Sequence, residues 1–330
     1  NDILQFNNGS ACTITNVPTE MIGQLLVSGV TYVTLQAAAG NTLTLLGGSG
    51  TDLSVGVNDS LNVNGVNALA INLAAGTTGS MSGKMVFSAG GHRLTANDAL
   101  AITFQNGSTF ETGAGFSGNV FGVGTANSII FSSGSVYIYI AGSNPFGLTA
   151  PSSVVVWQAG STYRHQATGD PSLANRTYAN FEFNSGGINT HSSANAVTMD
   201  SLIISSGTVS LGIRNNFTIK GNFYVANGAS LTFNPSSAGT LVLNGSSPQS
   251  FYGTGTTTAN TFQAIELNNA SGMVLGKNLD ILGNLTLTNG IITLGTNNLS
   301  LTGSLTGATN LKYVIATGGG EFRKVFAGTG

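Results

Sequence analysis

The residues that could carry chemistry in this sequence are few and widely spaced. Of its 330 residues, 12 are acidic, three are histidine and one is cysteine. The closest acidic pair is Asp52 and Asp59, seven residues apart. Glycoside hydrolysis needs two carboxyl groups about 5 to 9.5 Å apart, which neighbouring coils of a repeating fold could supply. Dispersed acids are, however, typical of solvated corners, and the sequence predicts no catalytic residue.

The histidines and the cysteine lack the surroundings of a functional site. His92 and His165 stand beside arginines and His191 beside Ser and Thr, not beside carboxylates at metal-ligand spacing. We therefore expect surface histidines, no metal and no cofactor. Cys12 is the only cysteine, which excludes an internal disulfide, and it is predicted to be a small buried apolar residue. The glycine-rich stretches GVGT and GTGTTT lack the Lys and helix of a phosphate loop.

Composition excludes further classes of function. Charged residues make up 7% of the chain and the net charge is -2, so no basic surface is available for nucleic acid. Hydrophobic residues make up 41%, which is enough to bury a core. No apolar run reaches the ~18 residues of a membrane span, and membrane insertion is not expected.

The elements that must position any site are very short strands. In NLTLTNGIITLGTNNLSLTGSL, residues 284–305, apolar residues alternate with single polar ones, which is typical of half-buried strands. Glycines fall between the strands, where the chain needs tight corners. The pattern is strand, corner, strand.

A fixed interval predicts how these strands are arranged. Apolar residues recur about every 20 positions, as in Ile265, Leu285 and Leu305. The same interval predicts three earlier columns: Val33/Leu53/Leu73, Ile203/Phe223/Leu243 and Leu211/Leu231/Phe251. Such periodicity indicates an all-β parallel β-helix, or β-solenoid, in which each coil needs its neighbours. Roughly sixteen coils at about 4.8 Å each would form an elongated rod.

The chain divides into four predicted segments. Residues 1–100 are N-terminal coils, and residues 101–176 are coils with longer loops that share an aromatic, Gly-Ser, aromatic pattern in FQNGSTF, FSSGSVY and WQAGSTY. Those aromatics are expected in the core rather than in a sugar-binding stripe. Residues 177–310 resemble a module duplicated at an offset of about 83, interpreted as whole coils, and residues 311–330 are a strand-like C-terminal segment.

Several stretches resemble one known group of proteins. GSSPQSFYGTG and the run TFQAIELNNASGMVLGKNLDILGNLTLTNGIITLGTNNLSLTG resemble the repeat of large Bacteroidota surface proteins exported by the type IX secretion system. ITFQNGSTFETGAGFSGNVFG, AGSNPFG and RTYANFEFNS are similar to the N-terminal part of those proteins. The resemblance implies an extracellular or cell-surface location, a signal peptide removed before Asn1 and often a C-terminal sorting domain, which is not recognisable here. It supplies no catalytic residues.

The sequence therefore predicts an extracellular structural protein, a subunit of a cell-surface filament, a surface layer or an adhesin. Its expected partner is a second copy of itself, joined head-to-tail through exposed strand edges, and surface polysaccharide or other cells are further candidates. The predicted assembly contacts are Leu4, Phe6, Tyr313, Phe322 and Phe326. The alternative is a carbohydrate-binding or carbohydrate-active β-helix, and an ice-binding role is a weaker third hypothesis because no regular Thr column recurs.

The resemblance also implies a modification. Bacteroidota attach O-glycans at Asp-Ser/Thr followed by an aliphatic residue or Thr, a tripeptide present at Asp59-Ser60-Leu61 and Asp200-Ser201-Leu202. Each serine precedes an apolar strand residue and is expected to point away from the core. Ser60 and Ser201 are therefore candidate glycosylation sites. The competing interpretation is that both are ordinary small polar residues at strand starts.

Overall fold

The fold is built of short parallel strands. The computed structural model describes residues 2–233, 239–257 and 262–326, apart from the side chains of Asn189 and Phe262. Within these ranges the chain forms 34 strands and no helix, and the pairings between the strands are parallel. The predicted all-β, β-solenoid fold is confirmed, with about 14 coils. The chain forms two compact units, residues 1–167 (unit 1) and 168–330 (unit 2).

Unit 1 winds around three faces. Face A is β1 (Ile3–Phe6), β4 (Gln24–Val27), β7 (Leu53–Val55), β10 (Gly79–Met81), β13 (Ile102–Phe104), β15 (Ile129–Phe131) and β17 (Val155–Trp157). Face B is β2 (Ala11–Val17), β5 (Tyr32–Ala37), β8 (Ser60–Asn64), β11 (Lys84–Ser88), β14 (Thr109–Thr112), β16 (Val136–Tyr139) and β18 (Thr162–His165). Face C is β3 (Glu20–Ile22), β6 (Asn41–Leu45), β9 (Leu69–Leu73) and β12 (Arg93–Ala96).

Unit 2 also has three faces. Its first two strands, β19 (Arg176–Ser193) and β20 (Val197–Ile213), run around all of them. Face D continues with β21 (Phe217–Ile219), β24 (Leu241–Leu243), β27 (Phe262–Asn268), the second half of β29 (Leu279–Asn289) and β32 (Leu305–Thr306). Face E continues with β22 (Phe223–Val225), β25 (Gln249–Tyr252), β28 (Met273–Leu275), β30 (Ile292–Thr293) and β33 (Val314–Ile315). Face F continues with β23 (Ser230–Phe233), β26 (Thr256–Thr257), the first half of β29, β31 (Leu299–Leu301) and β34 (Phe322–Lys324).

The predicted interval of 20 residues is correct for several pairings of unit 2 but not for the chain as a whole. Leu285 pairs with Ile265 on one side and with Leu305 on the other, as predicted. Elsewhere the interval is longer and differs from coil to coil. Leu25 pairs with Leu53, 28 residues later, in unit 1, and Phe223 pairs with Phe251, also 28 residues later, in unit 2. The interval varies because the loops between the faces differ in length.

The three earlier columns are wrong. Val33, Leu53 and Leu73 lie on faces B, A and C and do not stack on one another. In unit 2, Phe223 pairs with Leu202 rather than Ile203, and Leu231 pairs with Val209 rather than Leu211. All faces carry the same alternation of apolar residues, so a shifted alignment matches almost as well as the true register.

The duplicated module is not a set of whole coils. Leu202, which the sequence match aligns with Leu285, lies on face E in register with Phe223. Leu285 lies on face D in register with Ile265. The two copies are therefore displaced by a fraction of a coil, which the fold accepts because its faces have equivalent strand and corner patterns.

The core is made of inward-facing side chains that stack from coil to coil. Phe104 lies over Phe131 with ring centroids 4.5 Å apart and planes 7° apart, and Phe131 contacts Trp157 at 4.7 Å. Tyr137 stacks on Phe110 at 5.7 Å and on Tyr163 at 5.4 Å. All are buried. The aromatic pattern of residues 101–176 is thus a core feature, as predicted.

The corners limit side-chain size. A Cβ on Gly283 would collide with the carbonyl oxygen of Gln263 in the preceding coil, and a Cβ on Gly303 would collide with that of Gly283. Only glycine lets these corners approach closely enough for the strands on either side to pair.

We predict that Leu287→Asp abolishes folding of the surrounding coils. Leu287 is fully buried and pairs with Leu267, so its replacement puts an unpaired charge into the stack, at a cost of several kcal/mol. The matched control is Thr293→Asp, at a half-buried, outward position of β30. Circular dichroism melting should show a large loss for Leu287→Asp and a small one for the control. Equal melting of the two variants would contradict the assigned face.

Candidate functional site

The acidic residues closest in sequence are structural. Asp52 and Asp59 are both buried, which corrects the expectation of solvated corners. The Asp52 carboxylate accepts hydrogen bonds from the backbone amides of Gly48 (2.7 Å) and Thr78 (2.8 Å). The Asp59 carboxylate accepts from the amide of Thr31 at 2.7 Å. Each carboxylate joins neighbouring coils through backbone donors that strand pairing does not use.

Buried amide side chains also join neighbouring coils, at positions that were not predicted from the sequence. The Gln249 amide donates to the carbonyls of Ile219 (2.9 Å) and Gly221 (2.7 Å). The Asn269 amide donates to Gln249 Oε1 at 3.0 Å. The sequence signal for this role is a polar residue at an inward position, since Gln249 stands two residues before the buried Phe251.

The expectation of surface histidines is wrong. His92, His165 and His191 are all buried. In unit 1, His165 stacks on Tyr139 with centroids 5.2 Å apart. In unit 2, His191 stacks on Phe183 at 5.0 Å, and its Nδ1 lies 2.7 Å from Asp170 Oδ1. Their rings fill core space, and no group of three metal-ligating side chains forms within the described ranges.

His92 is bound by backbone groups. Its Nδ1 accepts a hydrogen bond from the Leu69 amide (3.1 Å) and its Nε2 lies 3.2 Å from the Ser88 carbonyl oxygen. Burial lowers the pKa of His92, while hydrogen bonds with the Ser88 and Gly65 carbonyls oppose that shift. The neutral imidazole is therefore the form that the fold requires, because a protonated ring could not accept from Leu69.

The candidate glycosylation sites face outward, as predicted. Ser60 and Ser201 are half-buried, and each is followed by a fully buried leucine. Ser60 lines an open cleft of about 490 Å³ that also includes Tyr32, Lys84 and Thr109. The Ser201 hydroxyl oxygen accepts a hydrogen bond from the backbone amide of Asn222 at 3.2 Å. Glycosylation at both residues stays a prediction.

The first coil of unit 1 carries core-type side chains that are not covered. Leu4 is in register with the buried Leu25, yet Leu4 is 37% exposed. Phe6, in register with the buried Val27, is half-buried, and Ile14, in register with Leu35, is 38% exposed. Within the described residues, β1 pairs on one side only, with β4. We call this surface, formed by Ile3, Leu4, Phe6 and Ile14, the first-coil surface.

The last coil of unit 2 has a similar exposed set. Tyr313 is 40% exposed and Phe326 80% exposed, while Phe322 is half-buried in register with Leu299. Leu311 is also exposed. The predicted strand-like C-terminal segment contains β33 and β34, which pair with β30 and β31. We call Leu311, Tyr313, Phe322 and Phe326 the last-coil surface, and residues 327–330 lie outside the described residues.

No family model, curated protein or solved structure matches the chain. In the described part of the chain no helix is long and apolar enough to cross a membrane.

We predict that the stability of the protein falls below neutral pH because of His92. Its pKa in the folded state is lower than the ordinary 6.5, so the folded chain binds fewer protons than the unfolded chain between the two values. The stability that neutral His92 contributes is complete above pH 6.5 and is lost as the pH falls through the folded-state pKa. Urea unfolding at several pH values should show this slope, and His92→Gln should reduce it. An unchanged slope in His92→Gln would exclude His92 as the cause.

Proposed function

We propose that this protein is an extracellular structural subunit that assembles head-to-tail into a cell-surface filament, surface layer or adhesin. The observation that carries the proposal is the first-coil surface, where inward-facing apolar residues lie at a strand edge that has no partner among the described residues. The extracellular location rests on the sequence resemblance to exported surface proteins.

The first-coil surface has both components of a strand-addition interface. The free edge of β1 offers backbone donors and acceptors to a further parallel strand, a known mode of recognition. Leu4 and Phe6 head the columns that continue with Leu25 and Val27, so a strand added there would cover them as β1 covers β4. Burial of that apolar area contributes about 25 cal/mol per Å².

The last-coil surface is the complementary partner that we propose. It presents Tyr313 and Phe326 beside strands that pair on one side with the preceding coil. A contact between the first coil of one copy and the last coil of the next uses two different surfaces. Such a heterologous contact, when it does not close into a ring, produces a filament.

Surface polysaccharide is a second candidate partner, favoured by one observation. Tyr224 and Tyr252 point outward from face E with ring centroids 5.1 Å apart, and Tyr252 is 39% exposed. Adjacent outward tyrosines form an apolar platform with polar edges, which suits the face of a sugar ring. This supports the alternative of a carbohydrate-binding solenoid.

The proposed assembly predicts that single changes at either surface stop it. Leu4→Asp and Phe326→Ser should each give a monomer by sedimentation velocity, while the native protein forms chains visible by negative-stain microscopy. Val66→Asp is the matched control, because Val66 is 86% exposed and belongs to neither surface. It should assemble normally, and all three variants should keep the melting temperature of the native protein within a few degrees.

Mixing the two variants makes the test specific. Each retains one intact surface, so an equal mixture of Leu4→Asp and Phe326→Ser should form dimers and nothing longer. Chains that persist in both single variants, or a native protein that stays monomeric at every concentration, would contradict the proposal. Retained assembly with loss of polysaccharide binding in Tyr224→Ala/Tyr252→Ala would add the second function to the first.

A further inference from the structure

We propose that Asn64 is a self-modifying residue, which cyclises with the backbone of Gly65 and converts to aspartate and isoaspartate in the folded protein. The pair forms the corner between β8 and β9 on unit 1. Asn64 is the last residue of β8, and its Cα pairs with that of Ser88 in the next coil.

The geometry places the reacting groups together. The backbone nitrogen of Gly65 lies 2.6 Å from Oδ1 of Asn64. Because Oδ1 is bonded to Cγ, the same contact holds the nitrogen close to the carbon that it must attack. Bringing two reacting groups together accounts for a large part of the barrier to ring closure, and this contact has already met that cost.

The surroundings leave room for the reaction. Nothing lies within 4 Å of the position that a Cβ on Gly65 would occupy, and the following Val66 is 86% exposed. Water therefore reaches the corner, and no side chain on Gly65 hinders the approach of its nitrogen to Cγ.

The reaction balances with water as the only co-reactant. Water or hydroxide removes the proton of the Gly65 amide, and the nitrogen attacks Cγ of Asn64 to form a five-membered succinimide. The Cγ–Nδ2 bond breaks and the side-chain nitrogen leaves as ammonia. A water molecule then opens the ring at Cγ to give aspartate, or at the backbone carbonyl carbon of Asn64 to give isoaspartate, whose main chain runs through the side-chain carbons.

Three other Asn-Gly pairs of the same chain have a different arrangement. Their glycine amides donate to groups elsewhere: Gly9 to Thr31 Oγ1 (3.1 Å), Gly107 to the Gly134 carbonyl (3.1 Å) and Gly245 to Gln249 Oε1 (3.0 Å). Each of those bonds must break before the nitrogen can turn to the asparagine. Asn8, Asn106 and Asn244 are therefore internal controls with the same dipeptide sequence.

A fourth control has the geometry without the glycine. The backbone nitrogen of Asn216 lies 2.7 Å from Oδ1 of Asn215. The side chain of Asn216, however, hinders the approach of this nitrogen to Cγ of Asn215. Comparison of Asn64 with Asn215 separates the effect of the glycine from that of the hydrogen bond.

The consequence is a change of charge and of backbone at one corner. Each conversion adds one carboxylate to a chain whose net charge is -2. Isoaspartate also lengthens the main chain where a Cβ on Gly90 of the next coil would lie only 2.5 Å from the Gly65 carbonyl oxygen. Older molecules would thus differ from new ones at a defined position on unit 1.

The test is incubation of the native full-length protein at neutral pH, with intact mass and peptide mapping over time. Asn64 should convert at least about tenfold faster than Asn8, Asn106 and Asn244, through an intermediate that has lost ammonia. In the chain unfolded in urea, the four sites should convert at similar rates. Asn64→Gln, which disfavours the five-membered ring, should remove the signal at this position while the melting temperature is unchanged.

Two results would overturn the proposal. One is conversion of Asn64 in the folded protein no faster than that of the three control sites. The other is a higher rate in the unfolded chain than in the folded one, which would mean that the corner protects Asn64.

Discussion

Parallel backbone pairing between successive coils is the interaction on which the rest of this structure depends. Paired residues are 19 to 28 positions apart along the chain, as for Met273 with Ile292 and Leu25 with Leu53. No coil can satisfy its own backbone, so each is stable only against its neighbours. The same constraint explains corners such as Gly283 and Gly303, where a side chain would keep the coils apart.

Several buried ionisable and amide side chains support this pairing. Asp52, Asp59 and Gln249 bind backbone groups at corners, where strand pairing is interrupted and buried donors and acceptors would otherwise lose their partners. His92 does so for Leu69. Because these side chains are already hydrogen-bonded to the backbone, recognition depends on the exposed coils and on the outward side chains.

The sequence predicted the fold class because alternation and corner glycines are local signals. It also predicted the buried aromatic columns, since Phe104, Phe131 and Trp157 stand in equivalent positions of one short pattern. The register of unit 1 was not predictable from a fixed interval, because its corner loops differ in length while its faces share one apolar pattern. Neighbouring residue types gave no warning that His92 is buried, since its partners are backbone groups.

For the candidate site, the strands at both exposed surfaces were predictable from the sequence, but the residues that cover or expose their side chains were not. Leu4 and Phe326 are apolar residues in strand-like runs, and their exposure depends on which coils cover them. Asn64 shows a further limit. The dipeptide Asn-Gly occurs six times, and the sequence does not show that the Gly65 amide lies against its own asparagine while those of Gly9, Gly107 and Gly245 donate elsewhere.

The coil register is tested most directly by disulfide trapping on face A of unit 1. Ser54 and Ser80 are 26 positions apart and in register, and paired parallel strands lie about 4.8 Å apart, within disulfide reach. In a Cys12→Ser background, Ser54→Cys/Ser80→Cys should form an intramolecular disulfide on mild oxidation. Ser54→Cys/Ala74→Cys, at the 20-residue interval, should stay reduced. A disulfide in the second pair and none in the first would contradict the stacking described for unit 1.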